Sequence, residues 1–183
     1  MTVETMLWRR LDLPGHDSCR LVRSAAGWRL RGAAVFRHSA GPAHLQYDVR
    51  ADRDWQTREG RVNGWVGTRS VRLRVRRLAT GWEVNGAASD QGRMCMDLDF
   101  GFTPATNVLQ VRRLALAVGE AVEVPVAWLD VPSGGLEVLQ QRYVRRTATG
   151  YWYEAPRFGY AAELEVTGAG FVRRYPGLWA AED

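Results

Sequence analysis

A chain of 183 residues is long enough for one domain with a sizeable core, since folding at this size buries roughly two-thirds of the unfolded surface. Hydrophobic residues make up 46% and charged residues 25%, proportions that exclude a disordered or membrane-embedded chain. The net charge is +5, and all 25 basic residues are arginine. That bias fits a GC-rich coding sequence. The missing lysine excludes a Schiff-base nucleophile and a P-loop lysine. Eight tryptophans suit a thick β core first and a cavity for an amphipathic ligand second. Cys19 and Cys95 belong to no C-x-x-C unit, so neither a zinc site nor a disulfide framework is expected. The first twelve residues hold no apolar run long enough for a signal sequence. Nothing later approaches the ~20 apolar residues of a membrane span, so the expected location is the cytoplasm.

Along the chain, apolar and polar residues alternate with the period of half-buried strands. Trp28-Arg29-Leu30-Arg31 opens the pattern, followed by a strand at 43–50. Val71, Leu73 and Val75 then alternate with Arg72, Arg74 and Arg76, which puts an arginine row on the second face of that strand. Val122, Val124, Val126 and Trp128 repeat the alternation, and Pro125 places the segment at an edge or bulge. Further strands are predicted at 136–146, 150–154, 160–167 and 170–175. Ala26-Gly27, Gly41-Pro42, Asn63-Gly64, Asn85-Gly86 and Thr149-Gly150 read as hairpin turns. No long helical stripe and no linker appears. The expected fold is mainly all-β, a single domain over 1–183. It is built as one long, strongly curved antiparallel sheet forming an open or partial barrel with few short helices.

The segment Met94 to Leu114 is the most distinctive. Read as a strand, its start puts Met94, Met96, Leu98 and Phe100 on one side and Cys95, Asp97 and Asp99 on the other, with the carboxylates roughly 7 Å apart. Such a pair suits acid–base sugar hydrolysis, a metal site, or structural pairing with Arg112, Arg113 or loop amides. The structural pairing is the first choice. No metal is expected, because His16, His38 and His44 all lie upstream. A second cluster spans 141–158, where strands joined around Thr149-Gly150 bring Tyr143 and Arg145 near Tyr151 and Tyr153. Guanidinium planes beside aromatic rings can hold a phosphate, a carboxylate or a sugar ring. Nucleic acid is not expected, since no RRM, KH or zinc-finger signature is present. No nucleophile elbow and no phosphate-binding glycine loop occurs, so neither nucleophilic catalysis nor a cofactor is expected.

Asp97-Leu98-Asp99, Thr103-Pro104-Ala105-Thr106-Asn107 and Arg112-Arg113-Leu114 together resemble the central signature of a bacterial glycolipid-binding family. Tyr47, Trp55-Gln56-Thr57-Arg58, Gly81-Trp82-Glu83, Gln141-Arg142-Tyr143, Tyr151 and Tyr153, and Gly170 to Leu178 extend the resemblance in order along nearly the full chain. Ala105, Gln110 and Thr167 depart from the usual aromatic, proline and acidic residue. The resemblance implies a curved sheet around an apolar interior, similar to periplasmic lipoprotein carriers, and a glycolipid ligand. By the same resemblance Tyr47, Trp55, Arg58, Trp82, Asp97, Asp99, Asn107, Gln141 and Tyr153 join Arg112, Arg113 and Tyr143 as candidate ligand-binding residues.

The function expected from these readings is non-catalytic binding of a glycolipid or other amphiphile in an apolar pocket, with Arg112, Arg113 and Tyr143 at the head group. The first alternative is an enzyme acting on a sugar or lipid ester through Asp97 and Asp99. The second is a protein-interaction module without a pocket.

Overall fold

The structure, a computed structural model, describes residues 3–131 and 133–182. The first half of the chain is a meander of strands β1 (Val3–Arg10), β2 (Gly15–Ser24), β3 (Gly27–His38), β4 (Gly41–Ala51), β5 (Thr57–Val66), β6 (Arg69–Leu78), β7 (Gly81–Val84) and β8 (Ala87–Ser89). The second half begins with the short strand β9 (Leu98–Phe100) and helix α1 (Asn107–Leu114). It continues with β10 (Ala121–Leu129), β11 (Leu136–Arg145), β12 (Gly150–Ala155), a 3-10 turn (Pro156–Phe158), β13 (Tyr160–Val166), β14 (Val172–Tyr175) and β15 (Trp179–Ala181). All strands join one sheet in the order β8-β7-β6-β5-β4-β3-β2-β1-β15-β14-β13-β12-β11-β10-β9. The two halves meet where the terminal strands β1 and β15 pair, Trp8 opposite Ala181. Among the described residues every ladder is antiparallel except β9 with β10.

The expected strongly curved sheet forming an open or partial barrel is not found. Strand order is linear from β8 to β9, and no ladder joins those two ends. Closure is unnecessary for two reasons. Both edge strands are only three residues long, and a short edge offers little backbone for mispairing. The apolar faces are covered from within the chain, because residues 100–109 pack between the halves. Phe100, Phe102, Val108 and Leu109 are all buried in one core with Leu45, Tyr47 and Val62 of the first half. Gly60 makes room for this, since a Cβ there would lie 2.3 Å from Leu98. The hollow interior expected from the resemblance is thus largely filled by the protein's own side chains.

Other expectations are met or shifted locally. The strands read at 43–50, 136–146, 150–154 and 160–167 are present as β4, β11, β12 and β13. Pro125 stands where β10 pairs only with β11, the parallel ladder with β9 being confined to Ala127–Leu129, so its missing donor costs no bond. Asn85-Gly86 is a true turn, both residues having positive φ. Asn63-Gly64 is not. It lies inside β5, paired with Gln46 and Leu45, and a Cβ on Gly64 would strike the His44 carbonyl at 1.9 Å. The glycine serves close backbone approach rather than chain reversal. The strand predicted from Met94 begins only at Leu98, and Met94 is exposed.

Candidate functional site

The Thr103-to-Asn107 stretch decides the geometry of the interior. Thr106 precedes α1, yet its hydroxyl does not cap the helix. It donates to Asp99 Oδ1 at 2.7 Å. Gln141 Nε2 donates to Asp99 Oδ2 at 2.7 Å, the Tyr143 hydroxyl donates to Gln141 Oε1 at 3.2 Å, and Asn107 Nδ2 donates to the Tyr143 oxygen at 3.0 Å. A directional chain therefore runs from Asn107 through Tyr143 and Gln141 to the Asp99 carboxyl. Such chains strengthen each bond by polarising its neighbours. Burial pushes the Asp99 carboxyl above its usual range, and the Thr106 and Gln141 donors oppose that rise. Burial likewise raises Tyr143 and Tyr153, so both phenols keep their protons at neutral pH.

Asp99 and Asn107 form part of the floor of a pocket of about 380 Å³ between the 98–107 segment and strands β10 to β15. Its walls are apolar: Trp128, Leu139, Tyr153, Ala155, Phe158, Tyr160, Tyr175, Leu178 and Trp179, with Phe100 and Thr103 beside the floor. Gly101 admits one wall, because a Cβ there would meet the Trp128 ring at 2.9 Å. Phe158, half exposed, stands against Trp128 with ring centroids 5.4 Å apart. Tyr153, Tyr160 and Tyr175 contact one another edge to face or tilted. Volumes of this order are at the small end of ligand pockets.

The twelve residues singled out from sequence do not gather in one place. Asp99, Asn107, Gln141, Tyr143 and Tyr153 gather at the pocket, three lining it and Gln141 and Tyr143 buried beneath it. Tyr143 sits directly opposite Tyr153, and Arg145 opposite Tyr151, as the hairpin register requires. Asp97 is elsewhere: fully buried, it accepts three hydrogen bonds from Arg113 at 2.7 to 3.0 Å. Arg113 is thus committed to a structural ion pair, and Asp97 shares no cavity with Asp99. Trp55 and Arg112 meet at a second pocket of about 220 Å³ together with Trp28. There the Trp28 and Trp55 rings stack at 4.1 Å and the Arg112 guanidinium lies 5.2 Å from the Trp55 ring. Trp55 has φ 66°, a left-handed conformation for a bulky residue, held by its ring stack and by Asp52 Oδ1, which accepts from the Asp54 and Gln56 amides.

The remaining three line neither of these two pockets. Trp82 is core, its indole N–H donating to the Cys95 carbonyl. Arg58 is exposed and pairs with Asp52 at 2.6 Å. Tyr47 is buried, donating to both oxygens of Asp17 at 2.9 and 3.2 Å and accepting from Thr103 at 3.4 Å. The placing of Arg112, Arg113 and Tyr143 together at a head group is accordingly not what the structure has. Sequence reasoning missed Trp128, Phe158, Tyr160, Tyr175, Leu178 and Trp179 as pocket walls. The available signal was the Pro176-Gly177 turn flanked by Tyr175 and Trp179, which returns two aromatic residues beside each other.

Among the described residues, no group of three or more His, Cys, Asp or Glu side chains is placed to hold a metal ion. No helix among them is long and apolar enough to cross a membrane. No curated protein matches the chain. A solved structure, that of a DUF1089 family protein from Pseudomonas aeruginosa, is similar, with a TM-score of 0.82 and 28% identity over 91% of each chain. The family described as "Putative glycolipid-binding" matches residues 5–181. The chain belongs to this family.

Proposed function

We propose that this chain acts as one unit, without catalysis and in the cytoplasm, to bind a glycolipid or similar amphiphile in the 380 Å³ pocket, polar end inward. The observation that carries the reading is the pairing of aromatic and aliphatic walls with a hydrogen-bonding floor. Direction follows from desolvation. An acyl tail pressed onto Asp99, Thr103 and Asn107 would strip their water and return nothing, a loss of about 1–3 kcal/mol for each group left unpaired. Sugar hydroxyls donate to Asp99 or to the Thr103 oxygen and accept from the second N–H of Asn107, so they replace that water. The ring faces then lie against Tyr153, Tyr160 and Trp128, and the chain leaves past Phe158 and Leu178. Burial of apolar area supplies the bulk of the affinity at about 25 cal/mol per Å², while the floor selects the head group.

The acid–base alternative lacks its partner, because Asp97 is held by Arg113 outside the pocket. Lipid extraction and mass spectrometry of protein purified gently from its native host tests the reading. A reproducible amphiphile is expected with the wild type and not with Ala155→Phe, which fills the pocket while leaving Asp99 and its donors in place. An amphiphile retained by Ala155→Phe, or none from either protein, would overturn it.

A further inference from the structure

The outward face of β2 to β7 carries charge in two adjacent cross-strand rows. In the first, Arg20, Arg31, Asp48, Arg61 and Arg74 stand opposite one another across five strands. In the second, Arg29, Arg50, Glu59, Arg76 and Glu83 do the same. Seven arginines therefore face three carboxylates, a surplus of four on one face of a molecule whose whole net charge is +5. The carboxylates are already shared. Asp48 takes Arg29 and Arg31, Glu59 takes Arg61 at 2.6 Å and Arg74 at 2.7 Å, and Glu83 takes Arg76. Arg20 and Arg50 have no ion pair among the described residues. Like charges directly opposite on neighbouring strands destabilise a sheet, so Arg20 beside Arg31 and Arg50 beside Arg29 are arrangements that an anionic partner relieves.

The same face carries apolar groups in a separate strip. Val35, His44 and Trp65 are in register across β3, β4 and β5; Val35 and Trp65 are 53% and 43% exposed, and Leu7 on β1 is 43% exposed. Between strip and arginines lies a broad depression of about 1020 Å³ lined by Ser18, Ala33 and Gln46 and reached by Arg20, Arg31 and Arg61. Small side chains at Ser18 and Ala33 leave space there for a group the size of a phosphate-bearing head group.

We propose that this face docks onto the surface of an anionic lipid bilayer, with the arginine rows on the phosphates and Trp65, Val35 and Leu7 at the boundary between head groups and acyl chains. Charge complementarity identifies the partner as polyanionic, and the layout selects a bilayer. Tryptophan and aliphatic side chains favour that boundary, and arginines near an anionic surface add their attractions. A single-stranded nucleic acid is matched by aromatic rings interleaved with cations, so that successive bases stack. Here the exposed ring, Trp65, lies to one side of the rows and stacks on His44 at 5.9 Å. The proposal is independent of the pocket reading.

Flotation of the full chain with vesicles of phosphatidylcholine alone, or mixed with phosphatidylglycerol, tests it. Binding is expected only to the anionic vesicles, with release at about 0.5 M salt, where screening shortens the reach of surface charge to a few ångströms. Combined Arg20→Gln, Arg31→Gln and Arg61→Gln should lower partitioning on the order of a hundredfold, from roughly fivefold per arginine. Removing as many charges elsewhere, at Arg146, Arg157 and Arg173, should change it less than about threefold at the same salt. Thermal melting of each variant checks folding, and Trp65→Ser, a surface change, serves if the triple variant does not fold, with a severalfold loss expected. Equal binding to neutral vesicles, no binding at all, undiminished binding by a folded triple variant, or preferential capture of single-stranded RNA would each overturn the proposal.

Discussion

The two halves of the sheet each bury a carboxyl group, and they treat it differently. In the first half Asp17 lies under Tyr47, at 0% exposure, with hydrogen bonds from the Tyr47 hydroxyl and a packed aromatic layer of Tyr47, Phe100 and Phe102 above it. In the second half Asp99 has Thr106 and Gln141 as donors and also borders open space. Gly32 accounts for part of the contrast, since a Cβ there would meet the Tyr47 hydroxyl at 2.2 Å; its absence lets the tyrosine settle onto Asp17. Gly101 does the reverse by letting Trp128 lie back as a wall. Asp17 is thus closed over by a tyrosine, whereas Asp99 borders a pocket with aromatic residues around it.

The largest effect that would break this comparison concerns Asp17. Burial pushes its carboxyl from 3.8 up to about 7. The folded state then holds the proton more tightly than the unfolded state. The stability associated with Asp17 is complete below its unfolded value and is lost as pH rises through about 7, in total about 4 kcal/mol. Urea unfolding at pH 4 and pH 8 should show Asp17→Asn gaining stability relative to the wild type by a similar amount at the higher pH. A difference independent of pH would mean that Asp17 is not desolvated as described.

Next comes Arg113→Met, which leaves Asp97 buried without its partner and should destabilise by about 3 kcal/mol, read from the same unfolding curves at pH 7. Replacing both, Asp97→Leu with Arg113→Met, should recover much of that loss, because the cost lies in the orphaned charge. Asp99→Asn should be milder, about 1–2 kcal/mol, since Thr106 can still donate to an amide oxygen. It should weaken binding of a sugar-bearing amphiphile far more than of a plain one. The smallest effect is at the Trp55 stack, where Arg112→Gln should cost under about 1 kcal/mol, the usual size of an exposed cation–π contact.

Much of the sheet was legible because alternation reports directly which side chains face inward. Val71, Val75 and the intervening arginines behave as a strand of that pattern should, and the hairpin around Thr149-Gly150 sets Tyr143 against Tyr153 without further information. Closure of the sheet was not legible. Periodicity fixes faces and says nothing about whether the two end strands meet, and the filling of the interior by Phe100, Phe102 and α1 is a long-range event between halves. Asn63-Gly64 was misread for a similar reason: a turn dipeptide and a close approach of two backbones use the same glycine. The carboxylates show the limit at the site. Asp97 and Asp99 are neighbours in sequence, yet the strand starts at Leu98, so one falls to an arginine on α1 and the other to the pocket floor. The aromatic walls came from six separate elements, and no local spacing marks such a set.

Titration calorimetry of the wild type with an alkyl glycoside below its micellar concentration, alongside the free sugar and the free alcohol, tests the pocket most directly. The glycoside should bind more tightly than either piece, Ala155→Phe should abolish binding, and Asp99→Asn should remove the advantage of the glycoside over the alcohol. Indifference of the glycoside to both substitutions would contradict the assignment of this pocket as the lipid site.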